Sequence, residues 1–209
     1  PFESEKAQEW NRNIFKHIKD EAVAETQQLA IEKGECPDME GTGRRNSHLL
    51  AIAPNANSSI IASTSPSIEP SKANAYTHRT RAGSHLVKNP YLEEELNKVD
   101  KNDAKTWTSI ITNSGSVQHL KFLSDEIKEI FKTAIEINQL EIVQQAADRQ
   151  EYLCQGQSLN VFLASGAKRG DLHKIHYNAW KLGCKGLYYL RTESTNKAEN
   201  VSVKVVRDA

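Results

Sequence analysis

Two short stretches carry residues that could do chemistry. The first is Pro54-Asn55-Ala56-Asn57-Ser58-Ser59, directly after the apolar run Ser47–Ile52, which reads as a strand continuing to Ala53. Small residues let an anion approach the backbone, and amides at the start of a helix point unpaired N–H groups at it. Asn57, Ser58 and Ser59 add side-chain donors. An ordinary turn with a helix cap is built from the same residues, so spacing leaves both readings open. The second stretch is Tyr188-Tyr189 inside Gly186–Leu190, read as a buried strand. Neighbouring strand residues ordinarily point to opposite faces, and aromatics are common in strands for packing alone.

Other chemistry is poorly supported. Cys36, Cys154 and Cys184 form neither a disulfide framework nor a CxxC metal site. His173 and His176, beside Lys174, read as surface groups. A basic cluster of His78, Arg79, Arg81 and His85 reads as solvated or bonded to carbonyls. Thr42-Gly43-Arg44-Arg45 lacks the P-loop pattern, and no GxSxG occurs. The 27 basic residues balance the 27 acidic ones, which argues against nucleic acid and anionic membranes as partners. No apolar run approaches the ~20 residues of a membrane span, and the N-terminal region lacks a signal-peptide core, so a cytoplasmic protein is expected. A mean hydropathy of -0.63 is polar for a compact globule and suggests a chain that shares its core with something else.

The elements that must position these stretches follow from pattern. Ser4 to Lys33 reads as a helix capped by Ser4 and stopped by Gly34, with Trp10, Ile14, Phe15, Ile18, Ala22 and Leu29 at helical steps. Ile60 to Asn89 matches no single element. Pro90 to Asn97 reads as a short helix, and Asn97 to Lys105 as an exposed loop. Ser124 to Glu151 reads as helical, capped by Ser124 and with a break at Asn138-Gln139. Asp171 reads as the cap of a helix through Leu182, and Gly183 as its C′ residue. Helix, glycine, apolar strand is the order of an α/β fold.

Four blocks in this order carry a resemblance: GRRNSHLLAIAPNANSSIIASTSPSIEP, THRTRAGSHLVKNPYLEE, ADRQEYLCQGQSLNVF and DLHKIHYNAWKLGCKGLYYLRT. Together they resemble the C-terminal part of the class I ribonucleotide reductase large (alpha) subunit, of the kind found in large tailed phages and their bacterial relatives. The resemblance runs from near residue 1 to about Thr192, with 193–209 as a polar tail. It implies an α/β fold that is the C-terminal portion of a ten-stranded α/β barrel, incomplete on its own. It implies that Pro54, Asn55, Ala56, Asn57, Ser58 and Ser59 bind a ribonucleoside diphosphate by its phosphates. It also implies that Tyr188 and Tyr189 relay a radical, which needs neighbouring rings in contact and hence a distorted strand.

The resemblance further implies partners: the N-terminal part of the large subunit and the small (beta) radical-generating subunit. It implies, too, that this piece binds no cofactor of its own, that the radical comes from the small subunit's metal cofactor, and that electrons come from a thioredoxin- or glutaredoxin-type reductant. The family's thiyl cysteine, its asparagine and glutamate partners and the C-terminal cysteine pair have no matching motif here, so the chain alone is expected to be inactive. Two rivals stand beside this reading: a stand-alone phosphate- or nucleotide-binding module, and a non-catalytic remnant that modulates a complete reductase.

Overall fold

The structure, a computed structural model, describes residues 1–62, 64–81 and 83–192; the polar tail expected at 193–209 lies outside them. Helix α1 (Glu5–Lys33) starts where Ser4 accepts the Ala7 amide and ends at Gly34. Its helical pattern is real, but its apolar stripe is packed only in part: Phe15, Ala22 and Leu29 are half-buried. Trp10, Ile14 and Ile18 are exposed, while Asn11 and Thr26 are buried. The face laid on α6 (Gln139–Gln150) is polar: Asn11 donates to the Gln145 carbonyl at 2.8 Å, Gln8 donates to Glu141, and Arg12 pairs with Asp148.

After α1 come a short 3₁₀ turn (Pro37–Met39) and the segment leading to α2 (Ser58–Ala62). The strand expected over Ser47–Ala53 is reduced to a single parallel rung, Ile52 against Gln157. The cause is competition for its amides. Leu49 and Leu50 donate to the Cys154 sulfur at 3.0 and 3.1 Å, and Pro54 then ends the run.

Residues 60–89, unassigned by pattern, contain a hairpin. Strand β1 (Ala75–Thr80) pairs antiparallel with β2 (Gly83–Lys88), setting His78 opposite His85. The side chain of Arg79 lies outside the described residues. Helices α3 (Pro90–Lys98) and α4 (Ala104–Thr112) close one core, where Leu92, Leu96, Trp107 and Ile110 meet Ala75, Val117 and Phe131. Gly115 makes that closure possible: a Cβ there would lie 2.2 Å from the Ala73 Cβ, and its φ is +82°.

The helical stretch expected over Ser124–Glu151 is two helices, α5 (Asp125–Ile130), capped by Ser124, and α6, capped by Asn138. Between them the Glu136 carboxylate accepts from the amide and hydroxyl of Thr133, a local alternative to helical bonding. Strand β3 (Val161–Leu163) and helix α7 (Arg169–Lys181) follow. Lys168, not Asp171, is the cap residue of α7; Asp171 reaches back to accept the Lys168 amide at 3.2 Å.

Strand β4 (Leu190–Thr192) pairs in parallel with β3. The buried strand expected over Gly186–Leu190 is therefore shifted toward the C-terminus and half exposed, because only β3 flanks it among the described residues. A second core joins α6, β3 and α7 through Val143, Val161, Ile175 and Ala179, and a third gathers Ile137, Ile142, Ala146 and Leu159. The architecture is mixed helix and strand with a parallel element, and no barrel wall closes among the described residues.

Candidate functional site

The turn is held from three sides. The Asn55 amide donates to the Pro66 carbonyl at 3.0 Å, Ser59 N–H to Asn55 O at 2.9 Å, and Thr64 N–H to Ser59 O at 3.0 Å. Ser59 is buried, and its hydroxyl turns back to the Ala56 carbonyl at 3.2 Å, so this expected donor is spent internally. Pro54, Asn55, Ala56, Asn57 and Ser58 are exposed. Among the described residues the amides of Ala56, Asn57 and Ser58 have no acceptor. Helix α2 has only five residues, so its dipole adds little and the bare amides provide the attraction.

The lead-in to the turn is fixed by a buried network. Arg149, 2% exposed, donates from Nε to Gln157 Oε1 at 2.6 Å and lies against Phe15. Gln157 donates in turn to the Ala146 carbonyl and to Gln150, and its backbone forms the rung with Ile52. Burial lowers the Arg149 pKa to about 10, against partial compensation from Cys184, Glu69 and Asp148. Burial alone would raise the Cys154 thiol, but the amides of Leu50 and Leu49 outweigh it and lower the pKa. Cys184 goes the other way, pushed up by burial.

Tyr188 and Tyr189 are adjacent in sequence, yet their ring centroids are 4.0 Å apart at an interplanar angle of 47°. Strict alternation would send the rings to opposite faces. The segment is irregular just before β4, although two rungs tie it to the start of β3 and the residues leading into it: Tyr188 N–H donates to Leu159 O at 2.7 Å, and Val161 N–H to Tyr189 O at 3.0 Å. Both rings are about half exposed. The Tyr188 phenol is raised above its ordinary pKa, first by its hydrogen bond with Tyr189 and then by charge repulsion from it; Arg191 pulls it down.

Pattern alone missed the contact that links these regions. Asn160, between the two rungs, donates to the Glu69 carboxylate seven residues beyond α2, and both side chains are buried. It also missed Arg191, whose guanidinium lies 5.0 Å from the Tyr189 ring centroid. The i, i+2 spacing of Tyr189 and Arg191 was the available signal, since such residues share a strand face. Of the histidines, only His78 and His85 face each other, across the β1–β2 hairpin; His173 stacks on Tyr177 on the exposed face of α7, and no metal-sized cluster of His, Cys, Asp or Glu occurs among the described residues. No helix among the described residues is long and apolar enough to cross a membrane. Cavities of about 420 and about 630 Å³ open elsewhere, one beside Glu69 and Lys132 and the other beneath Trp10 and Ile14.

Comparison with known proteins gives these features a family. The ribonucleotide reductase barrel-domain family matches residues 37–190, and the chain belongs to it. A Frog virus 3 (isolate Goorha) protein assigned to the ribonucleoside-diphosphate reductase large subunits is 53% identical over 192 residues, 92% of this chain and 34% of that protein. The ribonucleoside-diphosphate reductase large subunit of Invertebrate iridescent virus 6 is 45% identical over 208 residues, 96% of this chain and 22% of that protein. Among solved structures, the Actinobacillus ureae class Id ribonucleotide reductase alpha subunit superposes with a TM-score of 0.85 at 42% identity, covering 92% of this chain and 35% of that one. The chain thus corresponds to a fragment of a large subunit, spanning 22–35% of the length of these relatives.

Proposed function

We propose that this chain is a component of a ribonucleoside-diphosphate reductase, which reduces ribonucleoside diphosphates to deoxyribonucleoside diphosphates by radical chemistry. It contributes part of the barrel wall, the diphosphate-binding turn Pro54–Ser59 and the Tyr188–Tyr189 relay. The observation that carries this reading is the 4.0 Å ring contact of two adjacent tyrosines. Loss of an electron makes a phenol strongly acidic, so electron and proton leave together, and a second phenol in contact is the acceptor this requires. The exposed, unpaired amides of Ala56, Asn57 and Ser58 suit the phosphates. Within the turn, the backbone amides hold the phosphates and the Asn57 and Ser58 side chains add weaker contacts; Ser59 shapes the loop.

The remaining partners are the N-terminal part of the large subunit, the small radical-generating subunit and a thioredoxin- or glutaredoxin-type reductant, all acting in the cytoplasm. Two features support a second large-subunit piece: the exposed stripe of Trp10, Ile14 and Ile18, and the open wall beyond β3–β4. The chain supplies no reacting thiol in this reading, so it is inactive alone. Reconstitution with a complementary large-subunit piece and a small subunit tests this: reductase activity should require all three. Full turnover by the chain with the small subunit alone would refute it. The exposed turn also favours one rival, an autonomous phosphate-binding module. That rival predicts nucleoside diphosphate binding by the isolated chain in calorimetry and no gain on reconstitution.

A further inference from the structure

The tyrosine segment ends in a cation that the relay does not yet use. Arg191 lies over Tyr189, which in turn lies against Tyr188. No carboxylate among the described residues reaches ion-pair distance of Arg191. Its charge is instead felt by another cation: Lys72 is lowered in pKa by burial first and by Arg191 second. The guanidinium is therefore placed by the ring and the strand rather than by an opposite charge.

We propose that Arg191 is a positioning residue for the radical: stacked on Tyr189, it makes the phenoxyl state less stable there than on Tyr188 and biases the pair toward Tyr188. This rests on the relay reading above. A cation is attracted to the electron-rich face of a neutral phenol ring. Removing an electron from that ring weakens the attraction, so the stacking favours the reduced Tyr189. The exchange is balanced within the pair. Tyr189–O• and Tyr188–OH become Tyr189–OH and Tyr188–O•; one O–H bond breaks at Tyr188, one forms at Tyr189, and one electron travels with the proton. The radical itself originates in the small subunit, or in a test from a chemical one-electron oxidant. A cation–π contact at an exposed site corresponds to roughly a two- to fivefold bias in this equilibrium.

The test uses the full chain with 3-fluorotyrosine placed at position 189 to distinguish the two rings. Azidyl radical oxidises it, and rapid-freeze electron paramagnetic resonance reads the ratio of Tyr188 to Tyr189 radicals. Arg191→Gln should move that ratio toward Tyr189 by about two- to fivefold, while Arg191→Lys keeps most of the bias. Arg191→Met, which retains the apolar stem without the charge, must reproduce the shift. An unchanged ratio in Arg191→Gln, or a shift confined to that variant, overturns the inference. Because the oxidant is chemical, no turnover enters the measurement; whether the pair relays a radical in the enzyme is decided separately by phenylalanine variants in the reconstituted assembly.

Discussion

The turn at Pro54–Ser59 and the segment Leu187–Thr192 are built on opposite plans. One follows a parallel rung at Ile52, the other is itself tied to Leu159 and Val161, and both are largely exposed, with Ser59 buried and Leu187 half-buried. In the turn, the groups proposed to bind are three exposed backbone amides, and the buried Ser59 hydroxyl sets the loop by closing on Ala56. In the tyrosine segment, the groups proposed to act are side chains, and the backbone, pinned by two rungs, holds them in place. A backbone-built site tolerates side-chain change but not a lost N–H. A side-chain site shows the reverse. The buried Glu69–Asn160 contact joins the two, because Glu69 lies beyond the turn and Asn160 lies between the tyrosine rungs.

The largest expected effect is on the side-chain plan. Tyr188→Phe and Tyr189→Phe, each in the reconstituted enzyme, should lower kcat by at least about a hundredfold, each tenfold being about 1.4 kcal/mol of barrier. Co-purification of the subunits should be unchanged, and normal turnover in either variant would remove the relay. Next, an amide-to-ester replacement at Asn57 deletes one N–H while keeping the side chain. A hydrogen bond to a charged group is worth about 1.5–3 kcal/mol, so affinity for a nucleoside diphosphate should fall roughly 10- to 150-fold by calorimetry.

Asn160→Ala strips the buried Glu69 carboxylate of its donor and should cost about 1–3 kcal/mol of stability in urea unfolding, disturbing both regions at once. Ser58→Ala removes one exposed hydroxyl, and its effect on nucleotide affinity should stay within about tenfold; a loss larger than that of the Asn57 amide-to-ester change would mean that side chains rather than amides carry most of the binding.

The smallest expected effect concerns the lead-in at Leu49–Leu50. The Cys154 thiol is lowered in the folded chain, so it contributes stability above its unfolded pKa and loses it as pH falls through the folded value. The urea midpoint difference between the native chain and Cys154→Ser should therefore widen from neutral to mildly alkaline pH. A difference that is flat or narrows with rising pH would contradict that assignment.

Much of this was legible in residue order. Ser4 and Gly34 bounded α1, Pro90 opened α3, and Asn138 marked the start of α6, because caps act through bonds only a few residues long. The pattern failed where partners are distant. Trp10, Ile14 and Ile18 form a correct helical stripe that this chain leaves open, and α1 seats Asn11 on α6 instead. Ser47–Ala53 has strand composition, but a sulfur atom 104 residues away takes the Leu50 amide. The β1–β2 hairpin hid in a stretch rich in Ser, Thr and Asn, which composition alone assigns to loop.

For the candidate site, the sequence determined residue identity: a run of small, donor-bearing residues after an apolar segment, and two phenols in succession. Those are local properties, carried by each residue wherever the chain goes. Only the tertiary structure decided that the two rings meet, that Ser59 turns inward, that Arg191 lies over Tyr189, and that Glu69 finds Asn160. Each of these depends on the register of a strand or on a residue 91 positions away. Such long-range placement is set by the packing of whole elements, and no window of neighbouring residues contains it.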